Sequence, residues 1–166
     1  MYFHKIPLSL LLIFLTLATI FHDSKAQNSQ ADFLTAHNTP RALVFANGAM
    51  TWSNTLGNYS LNYANARAGA CNMVPSGGPY GENLATGSGP TFTGVAAVNI
   101  WVNQKPNYNY AANTCSGGQI CTSYTQVVWA NSVQLGCARV LCTNNVFYLV
   151  VCSYSVKGNV AGEWPY

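Results

Sequence analysis

The side chains that could carry chemistry are few once the N-terminal residues 1–26 are set aside. The rest of the chain holds one histidine, His37, and three carboxylates, Asp32, Glu82 and Glu163. Most hydrolytic and metal chemistry needs several imidazoles and carboxylates that converge on one point. This inventory therefore disfavours an enzyme and favours a rigid module that recognises a partner.

Residues 1–26 have the pattern of a secretory signal peptide. A positively charged start precedes an apolar run from Ile6 to Phe21, and small residues end the segment at Ala26. An uncleaved membrane anchor is the alternative, but the run is short for a membrane span. We therefore expect cleavage after Ala26, a domain over residues 27–166 with no stable membrane insertion, and export from the cell.

The composition limits the partners and the size of the domain. Charged residues make up 7% of the chain, and its formal net charge is +3. The lysines and arginines are scattered and form no basic stripe, so the pattern does not indicate a nucleic acid partner. The roughly 140 residues after the leader are enough for one domain with a hydrophobic core. We expect a monomer.

The cysteines form an even set of the kind found in exported, disulfide-bonded domains. They are Cys71, Cys115, Cys121, Cys137, Cys142 and Cys152. A zinc site is the alternative, but no C-x-x-C pair occurs in the chain. We therefore expect three disulfides, although the spacing alone leaves their pairing open.

Hydrophobic periodicity predicts helices that are followed by two antiparallel strands. Helical spacing is present over residues 27–45, 53–70, 95–105 and 123–129. The two β-runs, residues 134–142 and 146–154, are joined by a turn at Asn144 and Asn145.

The intervening segments are rich in turn-forming residues. Residues 72–91 contain many Gly, Pro and Ser residues and predict a long loop with at most a short strand over Glu82–Ala85. The tail, Val156–Tyr166, contains glycines and a proline and should be irregular. Helices followed by antiparallel strands predict an α+β domain in which the helices cover a small sheet.

Five motifs occur in an order that one family shares. They are Ala36–Asn38 with Arg41, Gly78–Leu84, Tyr124–Trp129, Leu135–Ala138, and Cys152–Tyr154 with Gly158–Asn159. On these motifs the chain resembles the plant pathogenesis-related proteins of class 1, members of the CAP superfamily of cysteine-rich secretory proteins and antigen 5. The resemblance covers the chain from residue 27 onward and includes the placement of the cysteines.

This resemblance implies a fold, a place of action and a role. The fold is an α–β–α sandwich with a small antiparallel sheet between helices. The implied disulfides are Cys71–Cys142, Cys115–Cys121 and Cys137–Cys152. The place of action is the extracellular space of the plant, the apoplast, and the role is defence against pathogens.

The resemblance also implies a cleft in which the family gathers two histidines and two glutamates that can hold a divalent metal ion. We assign this set to His37, Glu82, Gln104 and Ser123, so that glutamine replaces one glutamate and serine replaces one histidine. Zinc prefers three or four good donors, and the loss of two leaves a weak set. We therefore predict no bound zinc and no cofactor.

A hydrolase is the alternative use of this cleft, with Ser123 as nucleophile, His37 as base and Glu82 as the orienting carboxylate. Ser123 stands where the relatives carry histidine, so the resemblance implies no nucleophile there. We therefore expect a protein that is not an enzyme, in which His37 has a structural role.

The aromatic residues Trp101, Tyr108 and Tyr110 form a second candidate site. In the family a loop in this location resembles a sterol-contacting element, and aromatic rings suit a flat apolar ligand. The alternative is that Trp101 belongs to the core and the tyrosines fill the surface. We expect the protein to bind a sterol or a related lipid and to have an antimicrobial effect.

The tail is a third candidate. In plant relatives the corresponding segment resembles a releasable defence peptide that begins with proline. Here Val156 replaces that proline, whereas Gly158, Asn159 and the final Pro165–Tyr166 persist. Release of residues 156–166 as a signalling peptide is therefore an alternative function, and docking of the tail is the structural explanation of the same residues.

Overall fold

The computed structural model describes residues 27–45 and 48–166, and the predicted signal peptide lies outside them. These residues form four α-helices, a four-stranded sheet and a two-stranded ribbon. The helices are α1 (Gln30–Ala42), α2 (Asn54–Arg67), α3 (Gly94–Val102) and α4 (Thr122–Val127). The strands are β1 (Thr51–Trp52), β2 (Gly81–Ser88), β3 (Tyr108–Asn109), β4 (Thr114–Cys115), β5 (Gln134–Leu141) and β6 (Phe147–Ser155). None of the helices in this part of the chain is long and apolar enough to cross a bilayer.

Hydroxyl side chains fix the start of three helices. Ser29 and Asp32 form a capping box at α1, in which Asp32 N donates to Ser29 Oγ and Ser29 N donates to Asp32 Oδ2. Ser53 caps α2 and Thr93 caps α3 in the usual way, by accepting from a backbone N–H of the first turn. Because of its capping box, α1 begins at Gln30 rather than at residue 27.

The sheet has the strand order β1-β5-β6-β2, with β1 parallel to β5 and the other pairs antiparallel. β5 and β6 form the predicted hairpin. β2 is longer than the predicted Glu82–Ala85 because it pairs with β6 along its whole length, from Gly81 opposite Tyr154 to Ser88 opposite Phe147. Its small residues show no hydrophobic alternation, so the sequence pattern did not reveal its full extent.

Helices cover both faces of the sheet. Ala64 of α2 clusters with Leu149 and Val151 of β6 on one face. Val150 and Tyr154 of the same strand belong to the larger cluster that α1, α3 and α4 cover on the other face. Successive residues of β6 therefore alternate between two layers of helices, which confirms the expected α–β–α sandwich.

One glycine is required where α2 meets the sheet. A Cβ atom at Gly136 of β5 would lie 2.0 Å from the backbone nitrogen of Gly57 in α2. The same approach lets Ser60 Oγ donate to the carbonyl of Gly136 at 2.9 Å. α2 can therefore lie this close to the strand only because position 136 has no side chain.

Three disulfides tie these layers together. They pair Cys71 with Cys142, Cys115 with Cys121, and Cys137 with Cys152, the pairing that the resemblance implies. The Cys71–Cys142 bridge joins the segment after α2 to the end of β5 across 71 positions of sequence. Closing a loop of that length restricts the unfolded chain and stabilises the fold by about 4 kcal/mol.

Arg41 is a fully buried cation whose partners are backbone carbonyls. Its Nη1 donates to Val127 O at 2.9 Å and to Trp129 O at 2.8 Å, and its Nη2 donates to Ser132 O at 3.1 Å. Burial lowers the pKa of Arg41 to about 10, so the side chain stays charged at neutral pH. Arg41 thus fixes α1 against the segment that follows α4.

Candidate functional site

A cavity of about 400 Å³, which we call the cleft, lies between β2, the end of α3 and the start of α4. Three of the four residues assigned to it lie in its wall: Glu82 of β2, Gln104 just after α3, and Ser123 in α4. β2 is an edge strand, so one of its sides is free of a neighbouring strand and can border the cavity.

The polar side chains of the cleft wall differ in how completely they are hydrogen-bonded. Gln104 Oε1 accepts a hydrogen bond from the backbone nitrogen of Ser123 at 3.1 Å, which joins the end of α3 to the first turn of α4. Glu82 Oε2 accepts from the backbone nitrogen of Ser76 at 2.8 Å. Glu82 Oε1 is buried and has no hydrogen-bond partner among the described residues. Within the described part of the chain, one oxygen of the Glu82 carboxylate is therefore buried and unpaired.

His37 does not line the cleft, and the assignment to it is corrected here. Its side chain is fully buried. Nδ1 lies 2.8 Å from Phe33 O, and Nε2 lies 2.9 Å from the hydroxyl oxygen of Tyr154. The physical reason is that His37 lies one turn after Phe33 on the face of α1 that packs against the core.

Burial also sets the charge of His37. It lowers the pKa of the imidazole from 6.5 to about 4, so the ring is neutral at neutral pH. A neutral ring that donates from Nδ1 to the carbonyl of Phe33 must accept at Nε2, so the Tyr154 hydroxyl donates to it. The ring is thereby held in one tautomer, in keeping with the structural role expected for it.

A chain of hydrogen bonds links this buried histidine to the wall of the cleft. Asn83 Nδ2 donates to the Tyr154 hydroxyl at 3.1 Å and to the backbone carbonyl of Ser123 at 3.0 Å. Asn83 therefore joins the core to α4, and His37 supports the cleft only through Tyr154 and Asn83.

The arrangement does not fit a metal site. In the part of the chain that the structure describes, the one group of three candidate metal ligands is His37 with Cys137 and Cys152. These two cysteines are bonded to each other and offer no thiolate. In the cleft, Glu82 is left without the imidazole that was expected beside it, and one carboxylate with neutral oxygens is a poor zinc set. That the protein binds no zinc remains a prediction.

The three aromatic residues of the second candidate site do not share one surface. Trp101 is only 1% exposed, and its indole nitrogen donates to Leu84 O at 3.1 Å. Tyr108 is half-buried, whereas Tyr110 is 48% exposed. Trp101 is therefore a core residue that reaches the inner wall of the cleft, because it lies on the buried side of α3. Its assignment to an aromatic ligand surface is corrected.

The C-terminal tail supplies the partners of these tyrosines instead. The rings of Tyr110 and Tyr166 stack with centroids 4.9 Å apart and an interplanar angle of 17°. The indole nitrogen of Trp164 donates to Tyr110 O at 2.9 Å, and the Tyr110 hydroxyl donates to Tyr166 O at 2.7 Å. We call the rings of Tyr108, Tyr110, Trp164 and Tyr166 the aromatic face.

Sequence reasoning missed residues at both sites. Trp164 and Tyr166 were considered only as part of a tail, although two aromatics beside a proline are a signal for docking. Met73, Ile100 and Ile120 form an apolar wall of the cleft and are 57%, 49% and 66% exposed. Met73 and Ile120 each lie close in sequence to a bridged cysteine, so they could have been recognised as apolar residues on anchored loops.

A small sheet between helices and three disulfides define an α–β–α domain of the CAP class. The model of the cysteine-rich secretory protein family, CAP, matches residues 34–154. The chain belongs to this family. The secretory description of the family and the disulfides are consistent with an extracellular protein.

Plant pathogenesis-related proteins are similar to the chain over nearly its full length. Pathogenesis-related leaf protein 4 of Solanum lycopersicum is 52% identical over 159 residues, which cover 96% of this chain and 97% of that protein. Pathogenesis-related protein 1B of Nicotiana tabacum is 52% identical over 95% of this chain and 91% of its own. Pathogenesis-related protein 1 of Arabidopsis thaliana is 54% identical over 142 residues, which cover 86% of this chain and 85% of that protein. These similarities support a plant defence protein of the CAP family.

Solved structures share the fold at lower identity. The venom allergen-like protein 4 of Schistosoma mansoni has a TM-score of 0.62 and 24% identity, over 82% of this chain and 92% of that chain. The structure of NaASP2 with Zn²⁺ has a TM-score of 0.64 and 22% identity, over 85% of this chain and 87% of that chain. At these identities the likeness shows the fold alone.

Proposed function

We propose that the protein acts in plant defence outside the cell by binding a sterol or a related lipid at the aromatic face, with an antimicrobial effect and without catalysis. The stack of Tyr110 on Tyr166 carries this proposal. Tyr110 is 48% exposed and Trp164 beside it is 51% exposed, so both rings remain open to a ligand. Flat rings with a polar edge suit a rigid apolar ligand that carries a hydroxyl group.

The position of His37 supports recognition without catalysis. Both ring nitrogens are engaged, one with Phe33 O and the other with the Tyr154 hydroxyl. The imidazole therefore has no free nitrogen with which to take a proton from Ser123. His37 is also the only histidine in the part of the chain that the structure describes. A Ser–His–Glu hydrolase mechanism thus lacks its base.

A groove between α1 and α3 is the competing location for a lipid. Its volume is about 380 Å³, and Ala36, Pro40, Leu43, Val95 and Val102 give it an apolar wall. The aromatic face is preferred because aromatic stacking matches a planar sterol, whereas an aliphatic groove suits any acyl chain equally.

Binding of a radiolabelled sterol to the oxidised protein tests the proposal. Tyr110→Ala and Trp164→Ala should each weaken binding about tenfold, the loss expected for one exposed aromatic contact. Phe147→Ala is the matched control, because Phe147 is 42% exposed and lies at the other end of the sheet, opposite Ser88. Undetectable sterol binding, or a loss seen only in the groove variant Leu43→Ser, would contradict the proposal.

Release of the tail as a signalling peptide is the second candidate function. Val156 is 61% exposed at the start of the tail, so the bond before it is open to a protease. Further along, Gly158 N donates to Gln126 Oε1 at 3.1 Å, and Pro165 O accepts from Ala130 N at 2.6 Å. The tail is therefore docked along its length but accessible where release requires a cut.

Mass spectrometry of extracellular fluid from wounded tissue tests this second function. The expected product is the peptide of residues 156–166, together with the protein that ends at Ser155. If the full-length tail persists in all recovered protein, release does not occur.

A further inference from the structure

We propose that the exported protein carries an N-linked glycan on Asn58 of α2. The sequence Asn58-Tyr59-Ser60 has the form Asn-x-Ser/Thr that the glycosylation machinery accepts, and it is the one such sequence in the chain. This inference rests on the export proposed above, because the modification takes place in the secretory pathway. It does not depend on lipid binding at the aromatic face.

The structure places Asn58 on the side of α2 that faces away from the sheet. The buried residues of this helix are Leu56, Ser60 and Ala64, whereas Asn58 is exposed. Two positions along a helix turn a side chain by about 200°, so Asn58 lies opposite both Leu56 and Ser60. A glycan on Asn58 therefore extends into solvent and displaces no packed side chain.

The hydroxyl group of Ser60 determines when the sugar can be added. In the folded domain Ser60 Oγ donates to Gly136 O at 2.9 Å and lies 2.8 Å from Ser153 Oγ. The glycosylation sequence is recognised through this hydroxyl group, which is buried once α2 packs against β5 and β6. The glycan must therefore be added before these layers assemble.

The order of synthesis leaves time for this step. Gly136 and Ser153 lie 76 and 93 positions after Ser60, so both partners are made long after the glycosylation sequence. At the usual rate of synthesis, 76 residues take about 4–15 s. α2 has 14 residues, among them a glycine and four asparagines, and so short a helix of poor helix formers is marginal on its own. The sequence is therefore unfolded and accessible during these seconds.

The transfer itself is a displacement without redox change, and its donor is an oligosaccharide linked to a lipid diphosphate. Asn58 Nδ2 forms a bond to the anomeric carbon of the first sugar and gives up one proton. The bond between that carbon and the diphosphate oxygen breaks, and the lipid diphosphate leaves with the electron pair. After folding, Ser60 is buried, so the modification is confined to the nascent chain.

The surroundings of Asn58 suit a bulky polar group. Leu61 lies one turn further along the same helix and is 42% exposed, so the first sugars would cover an apolar side chain. Tyr108 and Tyr166 of the aromatic face pack against the cluster on the other side of the sheet. The glycan therefore leaves the aromatic face open.

Cell-free translation of the full chain with endoplasmic reticulum microsomes tests the inference. Protection from added protease reports entry into the microsomes, and a gel shift that endoglycosidase H reverses reports the glycan. We expect one shift in the protected parent chain and none in Asn58→Gln. Asn62→Gln is the matched control, because Asn62 is an exposed asparagine of the same helix outside any such sequence, and it should keep the shift.

A second pair of variants separates recognition of the sequence from folding. Ser60→Ala and Ser60→Thr both alter the buried position, but only Ser60→Thr keeps a hydroxyl group and should keep the shift. A protected parent chain without the shift, or a shift that survives Asn58→Gln, would overturn the proposal. An unprotected parent chain contradicts export instead, and replacing residues 1–26 by an established cleavable signal peptide then tests Asn58 by itself with the same outcomes.

Discussion

Two polar regions meet at the edge strand β2, and they are built in opposite ways. In the interior, the Tyr154 hydroxyl donates to His37 and accepts from Asn83, so the three side chains form a hydrogen-bond chain. Beside it, Glu82 of the cleft wall has one buried oxygen with no partner among the residues that the structure describes. A fully paired buried polar group stabilises a unique fold, whereas an unpaired one is costly until a ligand completes it. The interior region therefore stabilises the fold, whereas the unpaired oxygen of Glu82 is a cost to it.

The largest effect is expected for Arg41, a buried cation that is fully paired in the same way as the interior region. Arg41→Met would leave the carbonyls of Val127, Trp129 and Ser132 buried without their donor. We expect a loss of about 3–5 kcal/mol in the free energy of unfolding, measured by urea denaturation. Arg139→Met is the control with a smaller loss, because that half-buried side chain donates to one carbonyl. Similar losses in the two variants would contradict this ranking.

Acid should weaken the interior through His37. Its pKa is about 4 in the fold against 6.5 in the unfolded chain, so between these values the unfolded chain binds more protons. Stability is therefore full above the unfolded pKa and falls as the pH drops from about 6.5 towards 4, by about 3 kcal/mol in total. Urea unfolding across this range measures the slope. His37→Gln should remove the contribution of His37 to the slope of stability against pH. An unchanged slope in this variant would show that other groups cause the acid sensitivity.

A pair of variants should separate the two regions. Tyr154→Phe removes the hydroxyl that donates to His37 and accepts from Asn83, and should lower stability by about 1–3 kcal/mol. Glu82→Gln keeps an oxygen that can accept from Ser76 N, so its change in stability should stay below about 1 kcal/mol. Thermal unfolding of both variants provides the measurement. Equal losses in the two variants would mean that the two regions contribute alike to the stability of the fold.

Local patterns predicted the framework of this fold, and long-range contacts decided the sites. Helical spacing and the Asn-Asn turn were sufficient for the helices and for the β5–β6 hairpin. The partner of His37 is Tyr154, which lies 117 positions away. No local pattern shows that contact, so a histidine in a family motif was placed in the cleft. The one-turn spacing from Phe33 was the available sign that His37 faces the core.

The candidate sites were predictable only in part for the same reason. Glu82, Gln104 and Ser123 line one cavity, and these positions were named from the motifs of the family. The aromatic face depends on Tyr110 and Tyr166, which are separated by 56 positions, and its second half could not be inferred from the loop alone. Trp101 was an ambiguous case, since an aromatic near the end of an amphipathic helix can face the core or the surface.

The smallest effect is expected for the hydrogen bond between Tyr110 and the end of the tail. Two indole protons report it, that of Trp164 at the surface and that of Trp101 in the core. Tyr110→Phe keeps the stacked ring but removes the hydroxyl that donates to Tyr166 O at 2.7 Å. An exposed hydrogen bond of this kind contributes about 0.5–1 kcal/mol, so the tail should open up to about fivefold more often. The exchange rate of the Trp164 indole proton, which is bonded to Tyr110 O, reports that opening by NMR. The Trp101 indole proton, bonded to Leu84 O in the core, should exchange at its original rate. Faster exchange at both indoles would mean that the tail is coupled to the whole fold rather than docked as a separable segment.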